Sequence, residues 1–198
     1  MSRLAIDVAI LPPDEIMDLA VKLNQELLKR VESDLVLNKE NCLPHITVAM
    51  GIVDESNLKE VFDKVEKISS SFLPLELIID AAETYERPNK PPMSGLRIAK
   101  IQVLQSLHES VIKELKPLFS YDAKVEHFYQ PPIMTKLGEY WLAGKPYKKI
   151  LENYEPHLTL GHGTGLSLET PIKFTASRLA VCHLGKNSTC RKILTEWK

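Results

Sequence analysis

Two five-residue stretches hold the residues best suited to chemistry: Pro44-His45-Ile46-Thr47-Val48 and Pro156-His157-Leu158-Thr159-Leu160. Each reads Pro-His-apolar-Thr-apolar, and a glycine follows shortly in both, Gly51 and Gly161. By chance, one such pentamer is expected in about one chain in a thousand of this size. Two in one chain, one in each half, point to a shared use. Imidazoles titrate near neutrality, so a pair of them can hold opposite protonation states and serve as general base and general acid. Hydroxyls beside them can donate hydrogen bonds to oxygens where negative charge builds up. The sequence leaves open which histidine is base and which acid. Zinc chemistry would need two further ligands, and His162, His183 and the three cysteines lack the spacings of zinc sites, so no metal is expected.

These side chains must be positioned by strands. On a β-strand, residues two apart share a face, so His45 and Thr47 point one way while Ile46 and Val48 point into a core. His157 and Thr159 repeat the arrangement over Leu158 and Leu160. Around them, residues 4–11 read as a first strand ended by Pro12-Pro13. A helix then opens on Asp14-Glu15 and runs to about Glu32, with Ile16, Leu19, Ala20, Leu23, Leu27 and Val31 as its apolar stripe. The spacing predicts a strand over 43–53, a helix over 54–70, strands over 73–82 and 95–103, and a helix over 104–119. Residues 85–94 form a Pro-rich polar stretch and read as a loop. The segment 120–155 is irregular and rich in aromatic residues. Gly161-His162-Gly163-Thr164-Gly165 reads as a turn, with phosphate binding through its backbone N–H groups as the alternative. Residues 172–184 and 189–197 read as a terminal hairpin. The class is α+β with antiparallel sheets.

At 198 residues, 44% of them hydrophobic and 26% charged, the chain is one folded domain or two intimate lobes. No apolar run approaches the roughly 18 residues of a membrane span. Asp7 interrupts the first apolar stretch, which then ends in Pro-Pro, so it reads as a strand rather than a signal peptide. Three cysteines without a CxxC pair suggest free thiols in a reducing, cytoplasmic setting. The net charge of −1 is unevenly divided: residues 1–99 carry 11 Lys/Arg against 17 Asp/Glu, residues 100–198 carry 14 against 9. That permits a small anionic ligand near the second half but supplies no basic stripe for a long polyanion.

With its duplicated His-x-Thr motifs, its opening strand before Leu11-Pro12-Pro13-Asp14-Glu15 and its PHITVAMG stretch, the chain resembles the 2′-5′ RNA ligase and cyclic phosphodiesterase family, the two-histidine (2H) phosphoesterases. The resemblance implies a single domain over residues 1–198, made of two similar lobes related by a pseudo-twofold. Two antiparallel sheets would line a central cleft, with helices outside and one His-x-Thr from each lobe. It implies metal- and cofactor-free opening of 2′,3′-cyclic phosphates at RNA ends or in small nucleotides by a monomeric enzyme. His45 and His157 would be catalytic, and Thr47 and Thr159 would bind phosphate. Reversible 2′-5′ ligation on the same site is the alternative within the family, and a non-catalytic RNA-end binder the alternative outside it. Phe128, Tyr129, Tyr140 and Trp141 are candidates for stacking a nucleobase, each with a core role as its competing use. Tyr85 and the Arg87/Lys90 stretch are weaker candidates.

Overall fold

The computed structural model describes residues 2–87, 90–129, 154–169 and 171–198. Strand β1 (Arg3–Leu11) is almost wholly buried from Ala5 onward, as its apolar run requires. Helix α1 (Asp14–Leu28) follows Pro13, carries Asp14 and Glu15 in its first turn, and buries Ile16, Met17, Ala20, Leu23 and Leu27. Strand β2 (Ile46–Asp54) and helix α2 (Leu58–Phe72) come next, the helix burying Val61, Val65 and Ile68. A long hairpin, β3 (Leu75–Arg87) and β4 (Lys90–Ile98), precedes helix α3 (Gln102–Leu115). The chain closes with β5 (His157–His162), β6 (Ile172–Ala176), β7 (Arg178–Leu184) and β8 (Cys190–Trp197).

The class is α+β, as expected, but the strands form one strongly curled antiparallel sheet of eight in place of two. The order is β6-β3-β4-β5-β2-β1-β7-β8. Its two four-stranded halves join through a single pairing, Ile46 of β2 with Leu158 of β5. The strand expected over 172–184 is two strands, because the chain changes sides at Ser177. β6 pairs with β3 at one edge of the sheet, whereas β7 pairs with β1. One intervening residue spans at most about 7 Å between its neighbours, so the sheet must curl until its two halves meet there.

The stretch 85–94 differs from expectation as well. Both strands of the hairpin run into it, and the register shifts between Tyr85 and Arg87, opposite Pro91 and Pro92. A proline has no N–H to give a ladder, and a bulge asks for none. The Arg87 guanidinium donates to the Pro91 carbonyl at 2.6 and 3.0 Å, holding the irregularity.

Helices cover one face of the sheet, where Ile6, Val8, Ile10, Ile46, Val48, Leu158 and Leu160 meet the apolar stripes of α1, α2 and α3. On the other face a second, smaller cluster gathers Ala5, Ala9, Leu11, Leu43, Met50, Cys182, Cys190 and Phe128. His45, Thr47, His157 and Thr159 belong to this second face by strand alternation.

Candidate active site

The two motifs meet where the sheet halves join. Because Ile46 faces Leu158 in an antiparallel pair, His45 lies toward Thr159 and Thr47 toward His157. Diagonal positions of such a pair are about 7–8 Å apart, which leaves room for a phosphate between the imidazoles.

The local register repeats as well. The β1–β2 ladder steps from Val8–Ala49 to Ala9–Thr47, leaving Val48 as the extra residue of a bulge. The β4–β5 ladder steps from Ser94–Gly161 to Gly95–Thr159, leaving Leu160 extra. In both motifs the residue after the threonine is bulged, and in both the residue facing the threonine is small, Ala9 or Gly95. A bulge frees a carbonyl from the ladder, and a buried free carbonyl needs a donor. Helix side chains supply it. Asn24 of α1 donates to Leu160 O at 2.8 Å, and His108 Nδ1 of α3 lies 2.6 Å from Val48 O. Asn24 comes this close because position 161 has no side chain: a Cβ on Gly161 would sit 3.0 Å from its amide, and φ there is +149°. The Tyr154 ring stacks on His108 with centroids 4.1 Å apart, and its hydroxyl donates to Thr47 O at 2.9 Å. The first motif is thus braced on both carbonyls.

Both motif histidines are fixed the same way. His45 Nδ1 is 2.7 Å from Leu43 O, and His157 Nδ1 is 2.8 Å from Glu155 O. A carbonyl only accepts, so Nδ1 carries the proton in each ring and Nε2 is left as the reactive nitrogen. Their surroundings differ. The His45 side chain is only 12% exposed. Burial lowers its pKa, the Leu43 carbonyl opposes that, and the nearby His157 adds to it. His157 is exposed, with the Tyr85 ring 5.8 Å away.

Beneath His45 lies Asp7, fully buried on β1. Its Oδ2 is 2.7 Å from Thr47 Oγ1 and 3.5 Å from His45 Nε2. Burial pushes this carboxyl well above the usual range, with the Thr47 hydrogen bond pulling the other way. In the sequence Asp7 stands out only as an interruption of an apolar run, and that interruption is the available signal: a carboxyl inside a buried strand needs a reason.

Asp7, His45 and Cys190 bring three potential ligand atoms within 4.8 Å of one another. Within this group Asp7 Oδ2 is already bonded to Thr47 Oγ1 at 2.7 Å, and Cys190 Sγ lies 4.0 Å from it.

Beside the second motif a cavity of about 430 Å³ is lined by Asp80, Glu83, Tyr85, Arg97, Lys100 and Glu155. Arg97 faces His157 across the β4–β5 ladder and is held by Asp80, at 2.7 Å, and by Glu83. The Tyr85 hydroxyl is pushed up to about 12, first by burial and then by Glu83. Of the aromatic candidates, Phe128 is 2% exposed and packs in the second core cluster. Tyr129 is half-buried, edge-on to the His183 ring at 5.5 Å. Tyr140 and Trp141 lie outside the described residues, as does most of the 120–155 segment. Tyr85, a weaker candidate from sequence, has its ring 5.8 Å from that of His157. In the glycine-rich stretch, the Gly163 N–H is bonded to Pro92 O at 3.0 Å, and Arg30 holds the carbonyls of Thr164 and Gly165. Those contacts are structural. Cys42, Cys182 and Cys190 are free thiols. Among the described residues no helix is long and apolar enough to cross a membrane.

No protein-family model and no curated protein matches the chain. Solved structures do. TT0787 of Thermus thermophilus superposes with a TM-score of 0.62 at 10% identity, over 98% of this chain and 97% of that one. A crystallised phosphoesterase gives 0.56 at 14% identity, over 99% and 98%. E. coli LigT complexed with NADP+ gives 0.53 at 13% identity, over 100% and 98%, and LigT structures with ATP, 3′-AMP and phosphate also match. The resemblance to the 2H phosphoesterases carried by the paired motifs is therefore met by a likeness in fold: from end to end, this chain is built like LigT.

Proposed function

We propose that this protein is a phosphodiesterase that opens 2′,3′-cyclic phosphates at RNA ends or in small nucleotides by His/His acid–base catalysis, without a metal. The observation that carries the reading is the junction at Ile46–Leu158. It sets two His-x-Thr motifs across from each other, with Nδ1 of each histidine held by a backbone carbonyl and Nε2 as the other ring nitrogen. LigT, whose fold the chain shares, has been crystallised with nucleotides and with phosphate. A phosphate held between the two threonines has an imidazole on either side, the arrangement an in-line displacement needs.

In this reading His45 is the base. Burial keeps it neutral at neutral pH, so its Nε2 can take a proton from water. The water oxygen bonds to phosphorus, the bond from phosphorus to one ribose oxygen breaks, and protonated His157 Nε2 gives its proton to that oxygen. Thr47 and Thr159 hydroxyls donate to the non-bridging oxygens, where charge concentrates in the transition state. The cavity beside His157, with Tyr85 on its wall, is the place for the nucleoside. Run backwards with a ribose hydroxyl in place of water, the same groups would join RNA ends through a 2′-5′ link.

The test is turnover of the four 2′,3′-cyclic nucleotides and a cyclic-phosphate-ended RNA oligonucleotide in the presence of EDTA. Wild type should remain active. His45→Ala and His157→Ala should each lose about 10²–10⁴-fold in kcat. Binding of RNA ends without conversion would replace the reading with a binding module. Activity abolished by EDTA and restored by zinc would sink the metal-free mechanism.

A further inference from the structure

We propose that Asp7 is a third working group of this site, a buried carboxylic acid whose proton, given to Thr47 Oγ1, turns the Thr47 hydroxyl outward to the phosphate. The inference rests on the phosphodiesterase reading for its chemistry and on Asp7's surroundings for its physics. Asp7 is 0% exposed. Met50 faces it from β2 and Cys182 from β7, and Cys190 Sγ lies 4.0 Å away on β8. The titratable groups around it are His45, Cys182, Cys190 and Tyr154. Among the described residues no lysine or arginine pairs with it, and Oδ1 has no hydrogen-bond partner. A carboxylate stripped of water, with one hydroxyl and one weakly donating thiol to stabilise it and no lysine or arginine beside it, is the expensive state. The neutral acid is the cheaper one.

That choice decides what Thr47 can do. The hydroxyl has one proton. Were Asp7 ionised, Thr47 would have to donate to Oδ2 across the 2.7 Å contact and would present only lone pairs to a phosphate oxygen. With the proton on Asp7, Oδ2–H donates to Oγ1 and the Thr47 proton is free to point into the groove. An ionised Asp7 would also put an anion 3.5 Å from His45 Nε2, hold that ring as imidazolium and remove the base. One proton on Asp7 therefore sets both the phosphate donor and the base. The second motif has no counterpart: counted from Gly95 as Asp7 is from Ala9, the residue there is Met93. Asp7 acts through Thr47 and His45 and is a positioning residue.

Infrared difference spectroscopy of wild type minus Asp7→Asn at pH 7 reads the proton directly, with no substrate present. We expect the C=O stretch of a protonated acid, fading as pH is raised; carboxylate bands at pH 7 would overturn the proposal. In turnover, Asp7→Leu should lose at least about 100-fold in kcat with little change in KM. Asp7→Asn, whose amide can still donate to Oγ1, should recover to within about tenfold of wild type. The wild-type alkaline decline set by Asp7 should be missing from Asp7→Asn. If Asn is as damaging as Leu while both remain folded by circular dichroism, the negative charge is what matters and the proposal fails. If wild type itself turns nothing over, the phosphodiesterase reading fails separately. The spectrum and the affinity for sulfate, an anion that does not titrate in this range, then decide the role of Asp7. Sulfate affinity should weaken with rising pH more steeply in wild type than in Asp7→Asn; parallel curves would overturn it.

Discussion

Thr47 and Thr159 occupy matching positions in the two motifs, yet their hydroxyls have different neighbours, and a single substitution separates the consequences. Thr47 Oγ1 is bonded to a fully buried Asp7, whereas the ladder sets Thr159 opposite Gly95, which offers no side chain. Replacing either threonine by valine keeps the shape and removes the hydroxyl that the proposed mechanism assigns to the phosphate. Each variant should lose about 10–100-fold in kcat, the size of one transition-state hydrogen bond. Only Thr47→Val also leaves Asp7, a buried group already lacking a partner for Oδ1, with no hydrogen-bond partner but the distant Cys190 thiol. It should therefore cost about 1–3 kcal/mol of stability that Thr159→Val does not. Urea denaturation of the two variants checks this. Equal stabilities would mean that the Asp7–Thr47 bond contributes nothing to the fold. At this scale the sequence was most informative where it repeated itself. His45, His157 and both threonines stand out as candidates because they come twice at one spacing. Asp7 and Tyr154 come once, and their roles depend on a β1–β2 register and a 107-residue separation that no local pattern encodes.

Among the elements, helices do more here than cover the sheet. Each bulge behind a threonine exposes a carbonyl, and α1 and α3 each reach in with one buried polar side chain to satisfy it. Asn24 carries the larger share. Its amide donates to both Leu35 O and Leu160 O, at 2.9 and 2.8 Å, and its Oδ1 accepts from Leu37 N at 2.9 Å. Asn24→Leu fits the apolar stripe of α1 but leaves three buried backbone groups without partners. We expect a loss of about 2–5 kcal/mol, with kcat falling further than the unfolded fraction explains, because Leu160 follows Thr159 directly. A stability loss below about 1 kcal/mol would show that the bulge does not depend on α1. The helices themselves were legible, since their stripes repeat every three to four residues, although α1 stops at Leu28 and α3 starts at Gln102. The hairpin through 85–94 was not. Proline argues against a strand unless a bulge excuses the missing N–H, and bulges leave no mark in a single sequence. The break at Ser177 was hidden for a related reason, because β6 and β7 make one continuous strand-like pattern whose two parts pair with different partners.

For the molecule as a whole, burial has set two opposing dependences on pH. His45, His127, His162 and His183 all have lowered pKa values, with burial as the first cause in each. In the unfolded chain they take up protons near about pH 6.5, and in the folded chain only at lower pH. Their contribution to stability is therefore intact above about pH 6.5 and is lost as pH falls through the lowered native values. Asp7 works the other way. Unfolded, it releases its proton near about pH 3.9; folded, it keeps it to a much higher pH. The stability it contributes is full below the unfolded value and is lost as pH rises through the folded one. Asp7→Asn removes this second dependence and leaves the first. The variant should gain on wild type in urea midpoint as pH rises from about 4, becoming the more stable protein at neutral pH while turning over more slowly. Within the variant, stability should fall as pH drops below about 6.5. A wild-type-to-variant offset that stays constant from pH 4 to 8 would mean that Asp7 titrates alike in both states. The carboxyl would then be solvated in the working protein, and the first motif would work without a buried acid beneath it.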